Sequence, residues 1–191
     1  MNPEHDRFLA SDEWRLMLEQ VVLPFTLDEL GYEDLGADVL EVGPGPGLTT
    51  DLVRVRVPAL TAIELEEYLA SPLQARLAGT NVEVIQADAT AMPFEDERFT
   101  AAVSFTMLHH VPTADGQDQV LREVRRVLRP GGLFVASDSL ASEALADFHA
   151  GDVYNPIDPD GLAGRLVAAG FTDVDVRTNP MGWACHARRP N

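Results

Sequence analysis

Three glycines alternate with two prolines in Gly43-Pro44-Gly45-Pro46-Gly47, directly after a short apolar run that carries an acid, Val39-Leu40-Glu41-Val42. Glycine lets a chain turn through dihedrals closed to other residues and lets a ligand approach the backbone. The stretch therefore reads as a strand, a tight turn that forms the floor of a ligand site, and a helix start. Neither proline has a backbone N–H, so the donors left are Gly43, Gly45, Gly47 and Leu48. A pyrophosphate cradle wants successive N–H groups converging on the anion, and a loop that loses every second donor suits a ligand without phosphate. The dinucleotide fingerprint would place its third glycine at 48, where this chain has Leu48. A helix-entry turn with no ligand is the alternative.

Other groups with chemistry to offer follow at intervals. Glu64 closes the next apolar run, 23 positions after Glu41, close to where nucleotide folds set an acid against ribose hydroxyls. With Glu66 and Glu67 beside it, an acidic helix start favoured by the dipole explains the same residues. Asp88 lies just past a third apolar run, where an Asp is also a common turn former. His109 and His110 follow a fourth. An imidazole there suits proton abstraction from a hydroxyl or an acidic carbon, and Asp138 is a weaker candidate for the same work. His5, His149 and His186 are scattered, and no metal-ligand spacing is present. No bound metal is expected.

Taken together, Glu41-x-Gly43-x-Gly45-x-Gly47, the run Asp88-Ala89-x-x-Met92-Pro93-Phe94-x-Asp96-x-x-Phe99, and Leu121-Arg122-Glu123-Val124-Arg125-Arg126-Val127-Leu128-Arg129-Pro130-Gly131-Gly132 resemble the motifs of class I S-adenosylmethionine-dependent methyltransferases of the small-molecule type. The resemblance covers residues 36 to 138 through motifs and the remainder through topology. One departure is Thr100, where that family commonly has Asp. The resemblance implies S-adenosyl-L-methionine as cofactor, with Glu41, Gly43, Gly45, Gly47, Glu64, Leu65, Asp88, Ala89, Ser104 and Phe105 as its binding set. Glu64 would accept from the ribose hydroxyls and Asp88 from the adenine amino group. It implies an in-line displacement at the sulfonium methyl, in which alignment of the reactants matters most. A His pair at this position recurs in the family across differing substrates, so cofactor-edge packing competes with catalysis as the role of His109 and His110.

The elements that must position these residues follow from periodicity and punctuation. Apolar positions from 11 to 30 recur at helical spacing, with Ser11 or Asp12 as N-cap and a break around Pro24. This segment either covers the cofactor or packs on the sheet. Residues 52 to 57 alternate like a strand, yet a parallel sheet needs a crossover before the strand Ala59 to Glu64, so a helix to about 56 is expected. A helix over 68–78 and strands at 81–86 and 100–105 come next, the last continuous enough to be buried on both faces. A helix over 115–128 should end at Pro130-Gly131-Gly132, which reverses the chain into a strand from Leu133 to Ser137. Residues 138 to 160 read as a substrate-facing loop with a short helix from 142 to 148. A helix over 159–169 and strands over 171–178 and 182–188 complete the chain. The expected fold is α/β, a single Rossmann-like doubly wound sheet of seven strands, ordered 3-2-1-4-5-7-6 as the resemblance implies, with strand 7 antiparallel. One domain over 1–191 is expected: a helical cap over 1–35, a cofactor core over 36–138, and the substrate loop and hairpin over 139–191.

Composition narrows the partners. The formal charge is -17, from 31 acids and 14 bases that are all Arg. With no basic run longer than two residues, nucleic acid and anionic membranes are disfavoured, since both are held by clustered cations. The chain has no apolar run long enough to span a bilayer, and its first residues lack the pattern of a signal peptide. A lone cysteine, Cys185, excludes an internal disulfide. A cytoplasmic protein is expected. The leading functional reading is methyl transfer to a small-molecule acceptor. A non-catalytic S-adenosylmethionine-binding regulatory or assembly protein is the alternative, and a nicotinamide-dependent oxidoreductase is a third reading that Gly47 and the prolines oppose. Acceptor atom, oligomeric state and pathway carry no signal.

Overall fold

A computed structural model describes residues 7–191 of the chain; His5 lies outside them. Seven strands form one sheet: β1 (Asp38–Val42), β2 (Ala59–Glu64), β3 (Val82–Gln86), β4 (Phe99–Phe105), β5 (Leu128–Ser139), β6 (Thr172–Thr178) and β7 (Gly182–Arg188). Their order is β3-β2-β1-β4-β5-β7-β6, as expected, with β7 antiparallel to both neighbours and the other pairings parallel.

The central strands are buried on both faces, and alternation along them assigns each side chain to a face. Leu40, Val42, Ala102, Phe134 and Ala136 belong to one core, whereas Val39, Ala101, Val103, Leu133 and Val135 belong to the other. The first core is closed by α5 (Ala114–Val127), which buries Val120, Leu121, Val124 and Val127 at i, i+1, i+4, i+7 spacing. Each such side chain, fully buried, contributes about 1.5–3 kcal/mol. Parity has a consequence for the site: Glu41, two residues after Val39, shares that residue's face.

The second core is closed by α3 (Leu48–Arg54), whose Val53 is buried, and by the N-terminal helical segment through Leu23 and Leu27. The strand-like alternation at 52–57 thus yields to a helix that ends at Arg54, because burial of Val53 and Val57 against the sheet outweighs the small intrinsic preference of β-branched residues. Further helices are α4 (Glu67–Leu77), α6 (Glu143–Phe148) and α7 (Pro159–Ala168).

Two expectations are corrected. The N-terminal helix is not broken at Pro24: α1 (Asp12–Met17) runs through a π turn, Leu18–Val22, into α2 (Leu23–Leu27). The wider turn precedes the proline and absorbs its missing N–H and ring bulk without ending the helix. Pro130-Gly131-Gly132 does not form a turn ahead of the strand either. β5 starts at Leu128, and its register against β4 slips between Phe99 and Ala101. The proline and glycines form an irregularity inside the strand, stitched to the chain end by Gly131 N–H to Arg189 O at 2.9 Å and Arg189 N–H to Gly132 O at 2.9 Å. Thr100, the departure from the family pattern, ties the loop before β1 to β4. Its hydroxyl lies 2.7 Å from Leu35 O and accepts from Asp38 N–H at 3.1 Å.

Arg177 on β6 fastens the helical segment. Its guanidinium donates to Phe25 O and Thr26 O at 2.9–3.2 Å, satisfying carbonyls at the end of α2. Among the described residues no helix is long and apolar enough to cross a membrane.

Candidate active site

At the carboxyl ends of β1, β2, β3 and β4, where the strand order reverses, a cavity of about 490 Å³ opens. That is the position open α/β sheets reserve for ligands. Gly43, Gly45, Glu64, Leu65, Asp88, Ala89 and Phe105, all named from the sequence, line it together with Thr106, Met107 and His110. The glycine turn shapes its floor. Gly43, Gly45 and Gly47 have φ of 71°, 55° and 90°, left-handed values that disfavour any side chain. Around Gly45 a Cβ would meet nothing within 4 Å, so that glycine borders open space. Gly45→Ala is expected to lower cofactor affinity at least tenfold, read by calorimetry, because its methyl projects into the site. Folding should lose only about 1–2 kcal/mol, the cost of the left-handed residue.

Glu64 links this floor to the end of β2. Its Oε2 accepts from Gly45 N–H and its Oε1 from Glu66 N–H, each at 3.0 Å. Burial raises its pKa, and the amides that it accepts from work the other way. A carboxylate oxygen can accept more than one hydrogen bond, and Glu64 lines the cavity, so it offers the chemistry required to accept from a vicinal diol. Asp88 Oδ1 accepts from Thr90 N–H at 2.8 Å and lies 2.7 Å from Thr90 Oγ1, so it forms its own turn while facing the same cavity.

Three of the expected contacts are not in the cavity wall. Glu41 is 1% exposed and lies beneath α3, where its Oε1 accepts from Thr49 Oγ1 at 2.5 Å. Burial lifts its pKa to about 7, partly offset by the Thr49 and Thr50 hydroxyls. Gly47 caps α3, and a Cβ there would strike Leu73. Ser104 is buried, its hydroxyl 3.4 Å from Val42 O. These residues support the floor from behind.

A second cavity of about 350 Å³ lies beyond the ends of β4 and β5 and the start of β7. Its walls are largely apolar, with Trp14, Met17, Val21 and Phe25 from the N-terminal segment, Leu145 and Phe148 from α6, and Met181 and Trp183. The polar exceptions are Thr106, His109, Ser137, Asp138, Ser139, His149 and Asn179. The two cavities share Leu9 and Thr106. Thr106 holds φ at 50°, costly for a β-branched residue and common where structure is over-determined around a site.

Adjacent in sequence, His109 and His110 part company: His109 lines the second cavity and His110 the first. His109 is buried and braced by Asp138, whose Oδ1 lies 2.6 Å from Nδ1 and whose Oδ2 accepts the His109 backbone N–H at 3.0 Å. Its Nε2 lies 3.1 Å from Nε2 of His149. The reading of His149 as a scattered histidine is therefore corrected. His149 Nδ1 donates to Leu145 O at 2.6 Å, and burial, with His109 as a further contributor, lowers its pKa. Asn155 brings the segments together, its N–H donating to His109 O at 2.7 Å and its side chain to Val111 O at 3.0 Å, while Gln117 Nε2 donates to Leu108 O and Asn155 O. With 40 positions between His109 and His149, no local spacing could have signalled this contact. His186, by contrast, sits 2.6 Å from Thr26 O, beside Arg177, as part of the anchor of α2.

Such a sheet, with a glycine floor poor in N–H donors, a carboxylate at the end of the second strand and an adjoining apolar cavity, has the architecture of a class I methyltransferase. A methyltransferase domain family matches residues 40–136. The chain belongs to that family, the class I S-adenosylmethionine-dependent methyltransferases, whose cofactor is S-adenosylmethionine. It is 34% identical over 169 residues to the ubiquinone/menaquinone biosynthesis C-methyltransferase UbiE of Hahella chejuensis, covering 84% of this chain and 65% of that protein. It is 29% identical over 144 residues to a probable S-adenosylmethionine-dependent methyltransferase of Mycobacterium tuberculosis, covering 72% and 49%. The chain thus spans between about half and two thirds of the length of these relatives. Among solved structures, the PH0226 protein of Pyrococcus horikoshii OT3 superposes with a TM-score of 0.81 over 99% of this chain and 100% of that one, at 19% identity. At that identity the likeness is one of fold.

Proposed function

We propose that this protein transfers the methyl group of S-adenosylmethionine to a small, largely apolar acceptor held in the second cavity. The observation that carries this reading is the junction of the two cavities at Leu9 and Thr106. A cofactor seated against Gly45 and Glu64 and an acceptor seated against Trp14 and Phe25 would meet there, and alignment of that kind supplies most of the rate enhancement in a displacement. Gly43, Gly45, Glu64, Leu65, Asp88, Ala89 and Phe105 contact the cofactor in this reading, and Glu41, Gly47 and Ser104 stabilise the turn that presents it. His109 lines the acceptor side of the junction and His110 the cofactor side.

The acceptor cavity favours an apolar body with one polar end. Ser137 Oγ is buried there with no hydrogen-bond partner among the described residues, and a polar atom of the acceptor would satisfy it. The relative from Hahella chejuensis is named for quinone biosynthesis, which supports a small-molecule acceptor. In this reading residues 1–35 act as a cap over the acceptor, and 139–191 complete its cavity.

Calorimetric titration with S-adenosylhomocysteine, with NADH as control, tests the cofactor. A panel of hydrophobic phenols, thiols and activated carbon acids with labelled methyl donor tests the transfer. Saturable binding of S-adenosylhomocysteine, silence with NADH and label in a panel member are expected. Binding without transfer to any acceptor would favour a regulatory S-adenosylmethionine-binding protein.

A further inference from the structure

From the cluster at the junction of the two cavities we infer a divalent metal site, of the kind zinc occupies, built from His109, His110 and His149. One ring nitrogen from each residue lies within 4.8 Å of the other two. His109 Nε2 and His149 Nε2 are already 3.1 Å apart, close to the roughly 3.3 Å between two nitrogens on a tetrahedral ion with metal–nitrogen bonds of about 2.0–2.1 Å. A ring nitrogen of His110 completes the set within the same 4.8 Å.

The groups behind the imidazoles favour the same conclusion. A backbone carbonyl can only accept, so Leu145 O at 2.6 Å requires that His149 Nδ1 carry a proton. The Asp138 carboxylate, 2.6 Å from His109 Nδ1, favours the same tautomer there. Two neutral rings so oriented turn the lone pairs of their Nε2 atoms toward each other. At 3.1 Å that arrangement is repulsive unless a proton or a cation lies between them. A shared proton would account for two imidazoles. Convergence of a third accounts better for a metal, and a carboxylate and a carbonyl on the outer nitrogens are the usual orienting groups of metal-bound histidines.

Three protein ligands leave a fourth position open, as in catalytic zinc sites. His109 and His149 line the acceptor cavity, so that position faces the acceptor. Resting on the methyl-transfer reading, this names the acceptor class: a molecule presenting a hydroxyl or thiol to the ion. Coordination lowers the pKa of that group, its proton passes to water, and the resulting anion attacks the sulfonium methyl. A carbon–oxygen or carbon–sulfur bond forms, the methyl–sulfur bond breaks with its electron pair going to sulfur, and the metal does not change oxidation state.

The test begins with chelator-treated full-length protein titrated with zinc chloride by calorimetry and with cobalt chloride by visible spectroscopy. One ion per chain and the visible bands of four-coordinate cobalt are expected. His149→Gln and His110→Gln should each weaken binding at least a hundredfold, and Asp138→Asn about tenfold to a hundredfold. If His149→Gln does not fold by circular dichroism, His110→Gln carries the comparison, its ring being only partly buried. Absence of stoichiometric binding overturns the proposal, as does equal binding by wild type and the folded variants, which would assign the ion to the acidic surface. S-adenosylhomocysteine titrated into the same samples separates the two readings: binding of it without metal binding removes only the metal site, whereas metal binding without it removes the methyltransferase reading.

Discussion

Replacing Glu64 by Ala is expected to weaken S-adenosylhomocysteine binding by roughly a hundredfold, about 3 kcal/mol, measured by calorimetry. Hydrogen bonds to a charged acceptor are worth about 1.5–3 kcal/mol each, and a carboxylate facing a ribose diol makes two. Against this stands the price of removing the group from Gly45 and Glu66, whose amides it accepts from at 3.0 Å in the free protein. Those amides border the cavity and can turn to water, so their loss costs less than the diol contacts. Burial also raises the Glu64 pKa, which means that its charge is held at some expense until a donor such as a ribose hydroxyl arrives. Glu64→Gln retains one acceptor oxygen and the shape and should bind with intermediate affinity. An Ala variant that binds within twofold of wild type would remove Glu64 from the cofactor site.

The second large effect concerns stability and belongs to Glu41. Burial chiefly lifts its pKa to about 7 in the folded protein, from the 4.5 of an ordinary glutamate carboxyl. A carboxyl with a raised folded pKa stabilises the protein while protonated: the contribution is full below pH 4.5 and is lost as pH rises through 7. The shift corresponds to about 3 kcal/mol. Glu41→Gln keeps an oxygen for Thr49 and cannot ionise. Its melting temperature should match wild type near pH 4 and exceed it by about 8 °C at pH 8, using roughly 2–4 °C per kcal/mol for a chain of this size. Comparing the two proteins at each pH cancels the self-repulsion of a chain with charge -17. A difference that does not change between pH 5.5 and 8.5 would show that Glu41 is not titrating in this range.

Strand positions were legible because each buried strand is a short apolar run bounded by turn residues, and β2 and β7 occur where the run lengths and punctuation put them. Glu64 and Asp88 were legible for the same reason: each sits at the carboxyl end of a strand, which is where the fold opens. The placement of Glu41 was not legible, because its position in the motif says nothing of the face it occupies, whereas strand parity sends it beneath α3 with Val39. The irregularity at Pro130-Gly131-Gly132 resembles a turn locally. Only the pairing of Gly131 and Gly132 with Arg189 shows that the strand continues through it.

By itself the sequence determined the sheet, its order through the family resemblance, and several of the residues that line the first cavity, since these depend on periodicity and on motifs whose residues are close in the chain. The second cavity and the meeting of Asp138, His109 and His149 were decided only by the tertiary structure. Their residues come from the N-terminal helices, the segment after β4, β5, β7 and the region of α6, and their contacts depend on long-range hydrogen bonds from Asn155, Gln117 and Arg177. A distance of 3.1 Å between two rings separated by 40 positions follows from how those elements pack, and no local pattern encodes it.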